Sequence, residues 1–322
     1  MADNNTCVDI DDMSRWSDVL MGIYIVVFIF GLVFNLIIFA PIIQQIRRKN
    51  VLGIYLLNLS ISDLLYIVTM PLWIHYYNRN HHWELPTWSC RLAGFFYYSN
   101  MYISIYLLCC ISVDRCLTIT YPFQAKVMRR LRYAWGSCAA VFIFISSLHG
   151  GVLALDEDDV YDNKTRQCYE TYPLNNQIAT FNLVRVVLFF TVPFVVLVVC
   201  YMRIWAEVRV STGLDERGKR KVKRLAVAVI SIFCVCFFPY HLLLAVRSVA
   251  FFVMEEKSNC DFEGKLHFGF AITLALTSFN CVVDPLLYML ASNGVREDMQ
   301  VCYRYRKVVQ SQPITNTAMT KL

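Results

Sequence analysis

Charge is what this sequence has least of. Only 17% of its 322 residues are Asp, Glu, Lys or Arg, while 57% are hydrophobic, too apolar for an ordinary soluble enzyme of this length. Catalytic signatures are missing as well. There is no HExxH, no glycine-rich phosphate loop and no GxSxG, and Cys234 and Cys236 lack the spacing of a zinc site, so neither an enzyme nor a metal centre has a motif to stand on. The opening MADNNTCVDIDDMSRW is acidic, with no basic start or cleavage site, so the first apolar run is expected to insert the chain by itself. No internal repeat supports a transporter. The seventh apolar run has no lysine beyond Lys265 at its edge, which removes a retinal Schiff base.

What is present is a succession of apolar runs near 19–43, 53–77, 92–121, 133–155, 178–206, 222–252 and 266–291. Each is about 20 residues or more, enough to cross a hydrocarbon layer of about 30 Å. The expected architecture is all-α: an outer N-terminal segment (1–17), a seven-transmembrane helix bundle (18–291) and a short polar tail (307–322). Lysine and arginine crowd the loops after the first, third and fifth runs (Arg47, Arg48, Lys49; Lys126, Arg129, Arg130; Arg217, Lys219, Arg220, Lys221), whereas LDEDDVYD at 155–162 is acidic. The positive-inside rule therefore places the N-terminus outside, in a multi-pass protein of the plasma membrane. The net charge of +6 is then an ordinary cytoplasmic flank, and nucleic-acid binding is excluded.

That orientation sorts the thirteen cysteines: Cys7, Cys90, Cys168 and Cys260 fall on the oxidising side, with three pairings open. It also exposes the sequons at Asn4 and Asn163, while the one at Asn58 is buried in a span.

Polar residues recur inside the apolar runs: Asn35, Asp63, Ser104, Asn280 and Asp284. Two aspartates within a membrane need protons, cations or donors nearby, so these residues suggest a buried network. Prolines at Pro71, Pro193, Pro239 and Pro285 remove helix hydrogen bonds and predict kinks. Asp114-Arg115 ends the third run, 25 residues after Cys90, about 37 Å along a helix and hence at the cytoplasmic rim.

GLVFN (31–35), NLSISD (58–63), Cys90, DRC (114–116), Pro193 with Tyr201, CFFPY (236–240) and DPLLY (284–288) occur in an order and placement that resembles the rhodopsin-like (class A) G-protein-coupled receptors. The resemblance covers residues 18–306. It implies that Asp114 restrains Arg115 at rest, and that activation frees Arg115 to line a cytoplasmic cleft with Tyr201 and Tyr288. Phe237, Pro239, Asp284 and Pro285 belong to the same switch.

It further implies that Phe123 plugs into a heterotrimeric G protein of the inhibitory or Rho-activating class, and that arrestin is a second partner. Asp63, Ser104, Asn280 and Asp284, with Asn35 beside them, resemble an allosteric Na+ pocket; no other cofactor is implied. Cys90–Cys168 resembles the family's outer disulfide, and Cys7–Cys260 a second clasp. Residues 292–306 resemble an amphipathic eighth helix in which Cys302 could carry palmitate. The chain departs from the pattern at Cys116 (usually tyrosine), Phe237 and Phe142 (usually tryptophan) and Asp284 (usually asparagine). Lys219 and Arg220 stand where some members carry an acid for Arg115, which predicts a leaky resting state.

In the outer half, Arg185 precedes Pro193 by eight residues and Arg247 follows Pro239 by eight, on antiparallel runs. Both therefore sit about 12 Å outward of their prolines, at one depth. Two buried cations repel unless an anion joins them, and guanidinium forks suit carboxylate or phosphate; lipid headgroups or the loop acids Asp156 to Asp159 are the plainer partners. Tyr97, Tyr98, Met101 and Tyr102, with Tyr240 and His241, add an aromatic wall, completing a candidate site for an anionic lipid.

LLCCISVDR, PYHLLL and TSFNCVVDPLLY resemble the proton-sensing and lysolipid-linked receptor group, and RNHHW (79–83), SSLHG (146–150) and GLDERGKRKVKRLAVAVI (213–230) resemble its members linked to oxidised fatty acids, N-acyl amino acids and lysophospholipids. His75, His81, His82, His149 and His267 lie on or near the outer side and could titrate at mild acidity. The stronger pH-sensing relatives carry a glutamate where this chain has Ile145. Acyl-lipid sensing is therefore ranked ahead of proton sensing.

Overall fold

The computed structural model describes residues 16–121, 130–155, 161–162, 166–170, 172, 174–210 and 216–291. Asn4, Cys7 and with it the Cys7–Cys260 clasp, Phe123, Asp156 to Asp159, Asn163, Cys302, the eighth helix and the tail lie outside the described residues, as does the side chain of Tyr288.

Seven helices among the described residues are long and apolar enough to cross a membrane: Ser17–Arg47, Val51–Asn78, Thr87–Thr120, Leu131–Gly151, Asn176–Arg209, Val222–Val253 and Ser258–Leu287, called spans one to seven below. The third and seventh begin earlier than the apolar runs suggested. TWSCR and SNCDFEGKLH carry too much polarity to register as hydrocarbon-spanning, yet they continue the same helices into the outer interface.

Local chemistry sets the ends and breaks. Asn50 caps the second span through Oδ1, which accepts from Leu52 N at 3.2 Å, and Asn175 caps the fifth by accepting from Ile178 N at 2.8 Å. Pro71 opens a second helical segment, Met70–Asn78, after the first ends at Ile67. Two of the other three predicted kinks take a particular form: Arg185–Thr191 and Phe233–Phe237, just before Pro193 and Pro239, are π-helical, whereas Pro285 lies inside the helix Asn280–Ala291. Pro193 and Pro239 have no N–H for the carbonyls of Phe189 and Val235, four residues back in those segments, and their rings crowd the same carbonyls, so each helix widens just upstream of its proline.

Leu36, Ile37, Val68, Ile143 and Val253 are exposed, as lipid-facing residues are. Inside are two apolar clusters. One joins Leu56, Leu108, Leu197, Val229 and Phe233 toward the cytoplasmic half; the other joins Tyr24, Tyr66, Trp73, Tyr76 and Trp83 at the outer end. On the outer side β1 (Tyr161–Asp162) pairs antiparallel with β2 (Gln167–Cys168), and the Cys90–Cys168 disulfide ties this hairpin to the third span.

Candidate functional site

Arg185, at the start of the fifth span's π segment, is only 7% exposed, yet every polar partner it has among the described residues is neutral. Its Nε donates to the Tyr102 hydroxyl (3.1 Å), Nη1 to Asn182 Oδ1 (3.2 Å) and Nη2 to the Tyr240 hydroxyl (3.3 Å). The guanidinium also lies 4.6 Å from the Tyr98 ring centre. Among the described residues no carboxylate pairs with it. A buried cation compensated only by dipoles and ring faces is an incomplete ion pair.

Arg247 is different. Its Nε and Nη2 both donate to Glu263 Oε2, at 3.0 and 2.7 Å, and the acid is 1% exposed. The anion that the sequence reading sought for Arg247 is thus supplied by the seventh span. The two arginines are linked through rings: Tyr240, which accepts from Arg185, packs 5.5 Å from Phe270, which lies under Arg247 at 5.2 Å.

Two histidines flank Tyr102. His149 Nδ1 faces the Ile145 carbonyl at 3.0 Å with its ring 5.4 Å from Tyr102, and His241 Nδ1 faces the Phe237 carbonyl at 2.8 Å with its ring stacked 4.5 Å from Phe190. A carbonyl oxygen only accepts, so each Nδ1 carries the proton and each Nε2 presents a lone pair, which no group among the described residues satisfies. Tyr169 and Tyr172 from the hairpin loop close the site from outside: Tyr169 lies against Gly94 and Tyr98, and Tyr172 covers Arg247 at 4.3 Å. Burial holds both loop phenols protonated well above their ordinary range.

Of the aromatic wall, Tyr98, Tyr102, Tyr240 and His241 come together around Arg185. Tyr97 is engaged elsewhere, donating to the Leu274 carbonyl at 2.6 Å in a cluster with Tyr24 and Tyr66, and Met101 is a buried core residue. The five outer histidines also separate. His82 is exposed, and half-exposed His75 lies 3.9 Å from Glu84. His81 is buried against Glu170 at 2.7 Å, and buried His267 lies between His81, tilted to it at 6.2 Å, and Tyr172, edge-on at 5.1 Å.

In the middle of the bundle, Asn100 donates to Asp63 Oδ1 at 2.9 Å and to Ser62 at 3.2 Å, while Asn280 donates to Ser104 at 3.0 Å. Asp63 Oδ2 and both oxygens of Asp284 have no hydrogen-bond partner among the described residues. Asn35 is not part of this cluster; it clamps the first span to the seventh by donating to the Cys281 carbonyl at 2.9 Å. Toward the cytoplasm, Asp114 pairs with Arg115 at 3.5 Å, and Ser112, two residues earlier, donates to the Tyr201 hydroxyl at 3.1 Å. Phe237 is buried on Phe233 at the foot of the second π segment.

Asn100, Asn182, Glu170 and Glu263 were not singled out from sequence. Asn100 lies one turn from Ser104 on the third span, and that periodicity was a usable signal.

A seven-helix membrane bundle with a closed outer site, a central polar cluster and an Asp-Arg pair at its inner rim has the plan of a signalling receptor. Residues 34–288 match the family described as "7 transmembrane receptor (rhodopsin family)". The chain belongs to that family, whose members act on heterotrimeric G proteins at the plasma membrane and are receptors, not enzymes. It is 36% identical to "G-protein coupled receptor 68" of Bos taurus over 86% of this chain and 75% of that protein. It is 34% identical to "Probable G-protein coupled receptor 132" of Mus musculus (87% and 72%) and 33% identical to "Lysophosphatidic acid receptor 4" of Homo sapiens (92% and 80%). It is thus a receptor of the proton-sensing and lysolipid group.

Proposed function

We propose that this receptor is activated by an anionic acyl lipid of the oxidised fatty acid, N-acyl amino acid or lysophospholipid type, whose head is held by Arg185. The observation that carries the reading is a buried guanidinium whose partners among the described residues are all neutral. A carboxylate or phosphate would complete the ion pair in a site that Tyr98, Tyr102 and Tyr240 keep apolar. The bare Nε2 acceptors of His149 and His241 suit a chain that bears a hydroxyl or N–H, as an oxidised or amide-linked lipid does. Arg247, already paired, serves as scaffold.

The finer kinship, to the G-two accumulation receptor, rests on the sequence motifs given above. The coupling partner is a G protein of the inhibitory or Rho-activating class, followed by arrestin. Asp63 and Asp284, with Ser104 and Asn280, supply an oxygen set that fits Na+, which would offset one of the two carboxylate charges and favour the resting packing.

A second reading, activation by protons, is favoured by His81: a buried imidazole 2.7 Å from Glu170 becomes an ion pair on protonation, locking the hairpin to the second span's outer end.

The test is a G-protein activation panel crossing outside pH with acyl lipids. Arg185→Ala should weaken lipid potency by at least about tenfold, the loss of a charge-assisted bond, and leave any acid response in place. A variant that responds to lipid as wild type does, in a receptor driven by low pH alone, would reverse the ranking.

A further inference from the structure

Spans two to five enclose a second concave site, on the lipid-facing side of the inner half and separate from the outer pocket. Its volume is about 650 Å³. Its walls are Tyr106, Val113 and Leu117 of the third span, Ala134 of the fourth, and Val192 and Val196 of the fifth. Val113, Val192 and Val196 are exposed, with no polypeptide over them among the described residues. From Tyr106 to Leu117 the groove runs eleven residues, about 16 Å of helix, close to the thickness of one leaflet's hydrocarbon, about 15 Å.

Its inner mouth is cationic. Exposed Arg130 lines it and pairs with no acid among the described residues. Arg132, two residues on, is not itself part of the lining but is carried on Tyr133, which is: its Nη2 donates to the Tyr133 hydroxyl at 3.0 Å and its guanidinium lies 4.8 Å from that ring. Arg132 likewise has no acidic partner among the described residues. One guanidinium in the mouth of an apolar channel one leaflet deep, with a second bonded to the lining residue Tyr133, matches a phosphate ester with a single acyl tail behind it.

We infer that this groove is a binding site for an anionic phospholipid of the inner leaflet, with one acyl chain along Val113, Leu117 and Val196 and the phosphate at Arg130 and Arg132. The site does not depend on what the outer pocket binds. It touches the signalling machinery, because Asp114 and Pro193 also line it and Cys109 Sγ donates to the Pro193 carbonyl at 3.2 Å within it.

The test is native mass spectrometry of the purified full-length receptor with phosphatidylserine and phosphatidylcholine at equal concentration. Wild type should retain phosphatidylserine in preference, by about fivefold for each arginine engaged. Arg130→Ala/Arg132→Ala should abolish the preference, and Val113→Trp, which fills the channel, should lower retention of both lipids. Equal retention by wild type, or competition by glycerophosphoserine without a tail, would overturn the inference. A variant-free measurement stands beside it: phosphatidylserine with a diazirine in its acyl chain should label peptides within 106–117 and 192–196. Labelling confined to other faces of the bundle, or a self-association of receptor copies that excludes the lipid, would equally overturn it.

Discussion

Glu263→Ala removes the only anion seen beside Arg247 among the described residues while leaving the cation 6% exposed under Tyr172 and beside Phe270. Breaking a buried pair from one side costs about 3–5 kcal/mol, because the charge left behind has lost its counter-ion. The geometry points to the lower part of that range. Both hydrogen bonds converge on Oε2, and Oε1 has no partner, so this is not a two-oxygen fork and part of the carboxylate's desolvation is already unrecovered. At ~2–4 °C per kcal/mol, the purified receptor's melting temperature should fall by on the order of 10 °C. The double variant Arg247→Met/Glu263→Leu removes both charges and should melt within about 1 kcal/mol of wild type. The assay is thermal unfolding of purified receptor, with lipid potency measured on the same samples. Because Arg185 carries the head group in this scheme, the double variant should keep its lipid response. A Glu263→Ala receptor that melts with wild type, or a double variant as unstable as the single, would refute the account of Arg247 as scaffold.

Two further outcomes follow from other contacts. Glu170→Gln removes the carboxylate that lies 2.7 Å from His81, so a protonated imidazole there loses its ion-pair partner, and the response to acid should weaken in a signalling titration. Asn100→Ala removes the amide that donates to Asp63 Oδ1 at 2.9 Å and should cost about 1–3 kcal/mol in thermal unfolding, with partial protection by added Na+.

Much of this receptor could be read before any coordinates. Seven spans and their direction follow from hydrocarbon thickness and basic flanks, and Arg185 was conspicuous because a guanidinium inside an apolar run has to be explained. Partners across helices were harder. Glu263 sits in a polar-looking stretch at the start of the seventh span, where sequence alone cannot say that its carboxylate turns inward toward Arg247; that depends on the rotational phase of two helices. Tyr97 and Tyr98 are neighbours in sequence, yet a turn of about 100° between them sends one to the seventh span and the other to Arg185. The same limit hid Glu170, a loop acid brought to His81 by the hairpin that the Cys90–Cys168 disulfide anchors. The prolines were legible as kinks, but not as widened turns.

Those widened turns carry a consequence for how a signal could cross the membrane. A π turn is an α-helix holding one surplus residue. Expelling the surplus from Arg185–Thr191 would swivel everything on one side by about 100° and shift it by about 1.5 Å. Arg185 stands at the outer boundary of that reserve, and Tyr201 lies ten residues below its inner one, on the same continuous rod. A ligand that pulls on the guanidinium is therefore tugging at a wound spring whose far end is the phenol facing the third span.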